Sequence, residues 1–308
     1  MQLLNQYHQY QNKHNQYSPK FKQILPKHLY INSTGYGQDE KWALGTIGII
    51  DSAKNDINSG TPFNTLIRRV AKQYNKILTK VGCFTAFGRR RTDGDIGSTP
   101  IQGRYEIYKQ KFIEMVEKDP QNTALTVYPE VIYGKKEKLV KKLYTEKCFL
   151  EDTGVNISLN KTMLTVRDSS SETNLDKLYH DSSKVTCRIS SPSPKTTAVV
   201  YKEVASIVDR VQNNKEELTP ENINKITKDV ARVHWLMSQT RPYYRGSAGI
   251  ADIMAKSLFE SKGIQVSCYK KDVNPNLEAF VRPYPEYVNE YKNFFSEALK
   301  PIQDSKSV

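Results

Sequence analysis

The residues Arg241, Pro242, Tyr243, Tyr244, Arg245, Gly246, Ser247, Ala248 and Gly249 follow one another between two helical stretches. A helix N-terminus presents unpaired backbone N–H groups and a partial positive charge, so a small-residue turn there suits phosphate or carboxylate. Gly246, Ser247, Ala248 and Gly249 leave room for an anion to approach. Arg241 and Arg245 could clamp it bidentately, Ser247 could cap the helix or donate its hydroxyl, and Tyr243 and Tyr244 could stack on a base or sugar. A second reading stands beside this one. Small residues after a proline-terminated helix also suit a tight helix crossing, and an arginine there can bond the carbonyl ends of the preceding helix.

A base for chemistry on such an anion is harder to name. His234 lies seven residues before Arg241, about 10 Å along a helix, and it adjoins the apolar stripe through Val230 and Met237. A packed, satisfied histidine is the plainer reading; if a general base exists, His234 and Asp252 are the first candidates. Arg241 cannot serve, because a guanidinium does not deprotonate at physiological pH. His8 and His14 fall in a polar arm, and His180 in a polar connector.

These residues need elements to hold them. "TPFNTLIRRVAKQYNKILTK" reads as an amphipathic helix capped at Thr61, with Phe63, Leu66, Ile67, Val70 and Tyr74 on its apolar face. "TTAVVYKEVASIVDRVQNN" and "LTPENINKITKDVARVHWLMSQ" read as two more, the second with Thr219 as cap, Pro220 as first residue and Pro242 as its stop. The helix after Gly246 should end at Gly263, and "YPEYVNEYKNFFSEALK" should close the chain as a helix. "FGRRRTDGDIGSTPIQGR" reads as a long exposed loop, its Arg89, Arg90 and Arg91 either solvated or in contact with phosphate. "YGKKEKLVKKLYTEK" reads as a basic helix with a narrow stripe of Leu139, Val140 and Leu143. "TALTVYPEVIY" is an edge strand, "VNISLNKTMLTVRD" a hairpin turning near Asn160, and "KVTCRIS" and "IQVSCY" short strands. The expected class is α+β, mainly helical. It divides into a flexible polar arm over 1–18, a mixed α/β region over 19–195 and a helical core over 196–308.

The register of "RPYYRGSAGIAD" resembles a degenerate member of the Fic/Doc/AvrB (Fido) superfamily. That family places H-P-F-x-[D/E]-G-N-G-R-x-x-R between two helices. Arg241 stands at the histidine position, Pro242 at the proline, Tyr243 at the aromatic and Arg245 at the acid. Gly246 matches the first glycine, Ser247 stands for asparagine, Ala248 for the second glycine, Gly249 for the first arginine and Asp252 for the last. The resemblance covers 195–265 and an upstream hairpin, where the family keeps its target-docking flap. It implies a Fido-like helical core. Without the histidine and the Mg²⁺-binding acid it points to the AvrB-like branch, which includes bacterial effectors that transfer a sugar from a nucleotide-sugar donor to a host protein. Arg245 would repel a metal but could meet an anion directly, so no metal or cofactor is required and the donor is the nucleotide or nucleotide-sugar itself.

Composition frames the partners. The 308 residues carry a net charge of +13, which implies an acidic partner: an acidic protein or host protein substrate, a nucleotide phosphate, or an anionic membrane surface. Nucleic acid binding rests on charge alone, without any recognisable signature. The four cysteines, Cys83, Cys148, Cys187 and Cys268, lie 39 or more residues apart and read as reduced, mostly buried thiols. No apolar run approaches the ~18 residues of a membrane span, and no general export signal opens the chain. A cytoplasmic protein, or one passed into a host cell by a specialised secretion system, is expected. A non-catalytic basic module that docks on a protein or membrane is the alternative to a transferase.

Overall fold

The computed structural model describes residues 40–80, 88–92, 98–132, 135–168, 179 and 181–302. The N-terminal arm, Cys83, His180 and residues 93–97 lie outside them. The fold is α+β and mainly helical. In chain order come α1 (Glu40–Asn58), α2 (Phe63–Lys80), β1 (Ser98–Ile101), a 3-10 turn (Gly103–Tyr108), α3 (Lys109–Lys118), β2 (Thr123–Ile132), β3 (Lys135–Leu150), β4 (Val155–Asp168) and β5 (Thr186–Ser190). They are followed by α4 (Pro194–Asn213), α5 (Pro220–Thr240), α6 (Ser247–Ser261), β6 (Ile264–Gln265), α7 (Pro275–Val281), α8 (Tyr284–Glu290) and β7 (Lys300–Pro301).

The helical stops and starts follow local chemistry. Thr219 accepts the Asn222 N–H and Pro220 opens α5, while Ser193 and Pro194 do the same for α4. Gly263 takes φ +67° just past α6, as a C-terminal glycine should. Thr61 does not cap α2; its hydroxyl turns back to Asp56, and the Pro62 carbonyl accepts from Thr65 and Leu66. α1 carries Gly45, where a Cβ would lie 2.5 Å from the Ile77 side chain, so that glycine lets α1 approach α2 closely.

Five strands form one antiparallel sheet in the order β1-β5-β4-β3-β2. Two segments expected otherwise belong to it. The basic run is strand β3, not a helix. Val140, Lys142, Tyr144, Glu146, Cys148 and Leu150 alternate inward. Lys142 and Glu146 at inward positions hide that period of two; the Lys142 ammonium sits 4.5 Å from the Tyr179 ring centroid, which makes its burial tolerable. The expected hairpin within 155–166 is instead the single strand β4, and the hairpin is β3–β4, turning at 151–154. Asn160 marks no turn. Leu159 and Asn160 together oppose Glu146, since Thr145 pairs Lys161 and Lys147 pairs Ser158, which is a β-bulge on β4.

One buried cluster joins α1, α2 and α4–α6 to the turn end of the hairpin through Cys148, Leu150 and Leu159. A second lies under the sheet, where α3 and Tyr179 meet Leu277 and Phe280 of α7. Tyr108 and Lys111 both bond the buried Glu278 carboxylate, at 2.9 and 2.8 Å, and so tie α7 to the sheet side. The chain end departs from one long helix: α8 gives way to a 3-10 turn (Tyr291–Phe294) and an extended segment. There Tyr291, Phe294 and Phe295 pack edge to face. The strand expected over "IQVSCY" is only β6.

Candidate functional site

Helix α5 ends where Arg241 adopts φ +44°, its N–H still bonded to the Met237 carbonyl at 3.1 Å. Pro242 cannot continue the ladder. The chain then runs extended to Gly246, at φ +86°, and α6 begins at Ser247.

The extended stretch is paired. Residues 88–91 lie antiparallel to it: Arg91 N–H donates to Pro242 O at 2.9 Å, Tyr244 N–H to Arg89 O at 2.8 Å and Gly88 N–H to Arg245 O at 3.1 Å. Arg91 also donates from Nε to Arg241 O at 3.1 Å. Residues 88–91 are therefore not a free exposed loop but a strap, and it brings Arg89, Arg90 and Arg91 beside Arg241 and Arg245. Arg89 and Arg91 lie 4.9 and 5.5 Å from the centroid of the exposed Tyr244 ring, while Arg90 stacks 5.1 Å from Tyr201.

The anticipated anion ligands divide into two groups. Arg241 donates to Ile189 O at 2.9 Å and to the Thr99 hydroxyl, so its guanidinium ties the loop to β5 and β1. Burial first, then the charge of Arg91, pulls its pKa down to about 10. Ser247 is turned onto Tyr243, accepting its N–H at 3.0 Å and donating to its carbonyl at 2.9 Å. Tyr243 is buried with its hydroxyl toward Ile67 O, so its ring is packed in the core. Gly249 lies under Tyr74. Arg245, Ala248 and Tyr244 face solvent, with Arg89 and Arg90 beside them and Gly246 half-buried.

His234 and Asp252 come together, one helix turn of α6 behind the loop. His234 Nε2 is 3.2 Å from Asp252 Oδ1 and its Nδ1 is 2.7 Å from the Tyr291 hydroxyl. Asn276 donates to Asp252 Oδ1 at 3.1 Å and accepts from Ser238 at 2.9 Å. The imidazole is 0% exposed, ringed by Tyr269, Tyr287 and Tyr291, whose hydroxyls burial holds far above the usual tyrosine range. The pair is sealed in the core, and the hydrogen bonds it makes join α5, α6, α7 and the 3-10 turn.

Lys256, one turn further along α6, is fully buried in the same layer. Sequence periodicity gave no reason to single it out, because α6 is buried on nearly every side. Burial lowers its pKa to about 8, against the opposing pull of Cys268, Asp252 and Glu260. The folded protein therefore holds fewer protons here than the unfolded chain above about pH 8, and this group's contribution to stability should rise with pH from there. Buried Cys148 and Cys187, whose thiols are pushed up to about 12, act in the opposite sense above about pH 9. The measurement is the urea midpoint of wild type minus that of Lys256→Met, at steps across about pH 7 to 9. The difference should climb with pH; a flat line would mean that Lys256 is not held in a desolvated site.

Among the described residues, no group of three or more His, Cys, Asp or Glu could hold a metal ion, and no helix is long and apolar enough to cross a membrane. A family model described as "Avirulence protein", AvrB_AvrC, matches residues 47–298. The chain belongs to the AvrB/AvrC avirulence protein family. The match runs from within α1 to beyond the closing 3-10 turn, so the sheet, the strap and both helices of the loop all lie inside the family region. As an AvrB/AvrC protein the chain is of the bacterial effector class, in line with the AvrB-like resemblance carried by residues 241–252. Comparison with curated proteins gives no match.

Proposed function

We propose that this AvrB/AvrC protein is a transferase with a Fido-like helical core. It binds the phosphate of a nucleotide or nucleotide-sugar at the start of α6 and modifies a protein of the host cell into which it is delivered. The observation that carries this reading is the strap, which adds the guanidinium groups of Arg89, Arg90 and Arg91 to Arg245 beside a helix N-terminus. Such a cluster can balance phosphate charge without a metal. Arg245, Gly246, Ala248, Arg89 and Tyr244 are assigned to donor binding, the last as a stacking face. Arg241, Tyr243, Ser247 and Gly249 are assigned to shaping the loop, given the bonds they already make. His234 and Asp252 hold α5 against α6 and so position the loop. The acceptor protein is assigned to the sheet side, where Leu125, Val127 and Tyr128 of edge strand β2 are 49%, 41% and 45% exposed, a surface suited to docking.

One observation favours a second reading, a non-catalytic basic module that docks on an acidic protein or membrane: the His234–Asp252 pair is closed to solvent. Thermal shift against ATP, GTP, UDP- and dTDP-sugars and inorganic phosphate, with and without Mg²⁺, separates the two. A metal-independent shift for one nucleotide class is expected, and Arg245→Glu should weaken that affinity by at least tenfold, about 1.4 kcal/mol, with an unchanged melting temperature in the absence of ligand. No shift with any donor, together with strongly salt-dependent protein or vesicle binding, would favour the docking module.

A further inference from the structure

A cleft of about 960 Å³ lies between β3 on one side and the first half of α5 with α8 on the other. It is remote from the α5–α6 loop: its nearest α5 residue, Arg232, stands nine positions before Arg241, about 14 Å along the helix. Most of the charges lining it are already matched. Arg210 bonds Asp229 at 2.9 Å and Asp152 at 2.8 Å. Arg232 bonds Glu203 at 3.0 Å and Glu151 at 3.2 Å, and Lys225 bonds Glu216 at 2.8 Å.

Glu146 is different. It is the single residue facing the bulge in β4, and the alternation of β3 turns its side chain inward with Tyr144 and Cys148, where it lines the cleft. It is 6% exposed. Tyr144 donates to its Oε2 at 2.9 Å, while no described residue hydrogen-bonds Oε1. The charge that acts on it is another carboxylate, Asp119, which also lines the cleft. The exposed Lys147 and Lys228, the buried Cys148, the half-buried Tyr284, and Glu221 complete the titratable lining; none of them is an ion-pair partner of Glu146. Burial first, opposed by the Tyr144 bond and reinforced by Asp119, pushes the carboxyl up to about 7. A desolvated carboxyl with no cation beside it is a costly arrangement that an incoming cation would relieve. The aromatic faces at hand, Tyr144, Tyr284 and the 52%-exposed Phe149, suit a planar guanidinium more than a compact ammonium.

We propose that this cleft is a binding site for an arginine side chain of a partner protein, with Glu146 as the carboxylate that receives the guanidinium. The site is separate from the nucleotide reading at α6 and stands or falls without it. Binding should release a proton, because only the ionised Glu146 pairs with the cation. Affinity should therefore rise up to about tenfold between about pH 6 and about pH 8.

The test is titration of the full chain with the blocked peptide acetyl-Gly-Arg-Gly-amide, followed by amide shifts of β3 and α8. The citrulline peptide is the neutral control, and agmatine distinguishes a bare guanidine from a peptide. Wild type should respond at residues 144–149 and tighten with pH. Glu146→Gln, which keeps an acceptor for Tyr144, should bind at least tenfold more weakly and without pH dependence, its unperturbed spectrum showing that it folds. Asp119→Asn should move the midpoint of the pH dependence downward. Arg245→Glu should bind the peptide as wild type does. Equal binding of the citrulline peptide, equal affinity in Glu146→Gln, or no response of residues 144–149 would each overturn the proposal; agmatine binding without peptide binding would overturn its assignment to a protein side chain.

Discussion

Glu203→Ala should cost about 3–5 kcal/mol of stability, the cost of breaking a buried ion pair from one side. Glu203 sits on α4 at 1% exposure and does three things at once. Its two oxygens accept the backbone N–H groups of Asp152 and Thr153 at 3.0 and 2.9 Å, and Oε1 also accepts from Arg232 Nη2 at 3.0 Å. The β3–β4 turn thus hangs on one carboxylate of the helical core. Alanine leaves two amides without their acceptor and removes the most buried counter-charge of Arg232, a side chain only 12% exposed. Asp152 and Glu151 remain near that guanidinium and keep the loss from being larger. Glu203→Gln keeps an acceptor and should cost less, about 1–3 kcal/mol. Urea unfolding of both variants checks this, and the loss should change little with added salt because the group is shielded from solvent. A cost below about 1 kcal/mol for alanine would mean that the turn is held by something else.

Gly249→Ala should destabilise by about 3 kcal/mol, the upper end for an overpacked site, and should disturb the start of α6 more than the rest of the fold. A Cβ at Gly249 would lie 2.2 Å from the Tyr74 hydroxyl and 2.6 Å from its Cζ. Those atoms belong to a ring that is 6% exposed and wedged between α2 and α6, so it cannot swing aside. Tyr74→Phe in the same chain should restore only part of the loss, since the ring carbon still clashes. Hydrogen exchange at residues 246–250 reads the local effect. Exchange unchanged from wild type, with stability within about 0.5 kcal/mol, would mean that Tyr74 yields freely and that the close approach does not set the helix position.

The Gly249 result bears on how the α5–α6 loop is built. Its exposed residues and its packing residues are interleaved at one-residue spacing, Tyr243 inward and Tyr244 outward, Ala248 outward and Gly249 inward. A pattern of residue types cannot separate them. Arg241 and Arg245 look alike in sequence; one donates to the Ile189 carbonyl on β5 and the other is exposed. The same holds for His234 and Asp252. Residue type made each a candidate general base, and the packing of Tyr269, Tyr287 and Tyr291 encloses the imidazole.

By itself the sequence determined the local events. Thr219-Pro220 starts α5, Pro242 stops it, Gly263 ends α6, and the three- and four-residue spacing of Val200, Val204, Ile207 and Val211 turns α4 toward the core. Each of these depends on contacts within a few residues, which is why residue type and order suffice. Tertiary structure decided what depends on partners far along the chain. The strap at 88–91 pairs with residues about 150 positions away, and no local signal marks an arginine run as one side of a β-bridge. Strand β3 looked helical because two charged residues face inward: Lys142 is made tolerable by the ring of Tyr179, and Glu146 accepts from the Tyr144 hydroxyl. A buried charge is intelligible only from what surrounds it, and in this chain the partners of Lys142, Glu203 and Arg241 come from other segments.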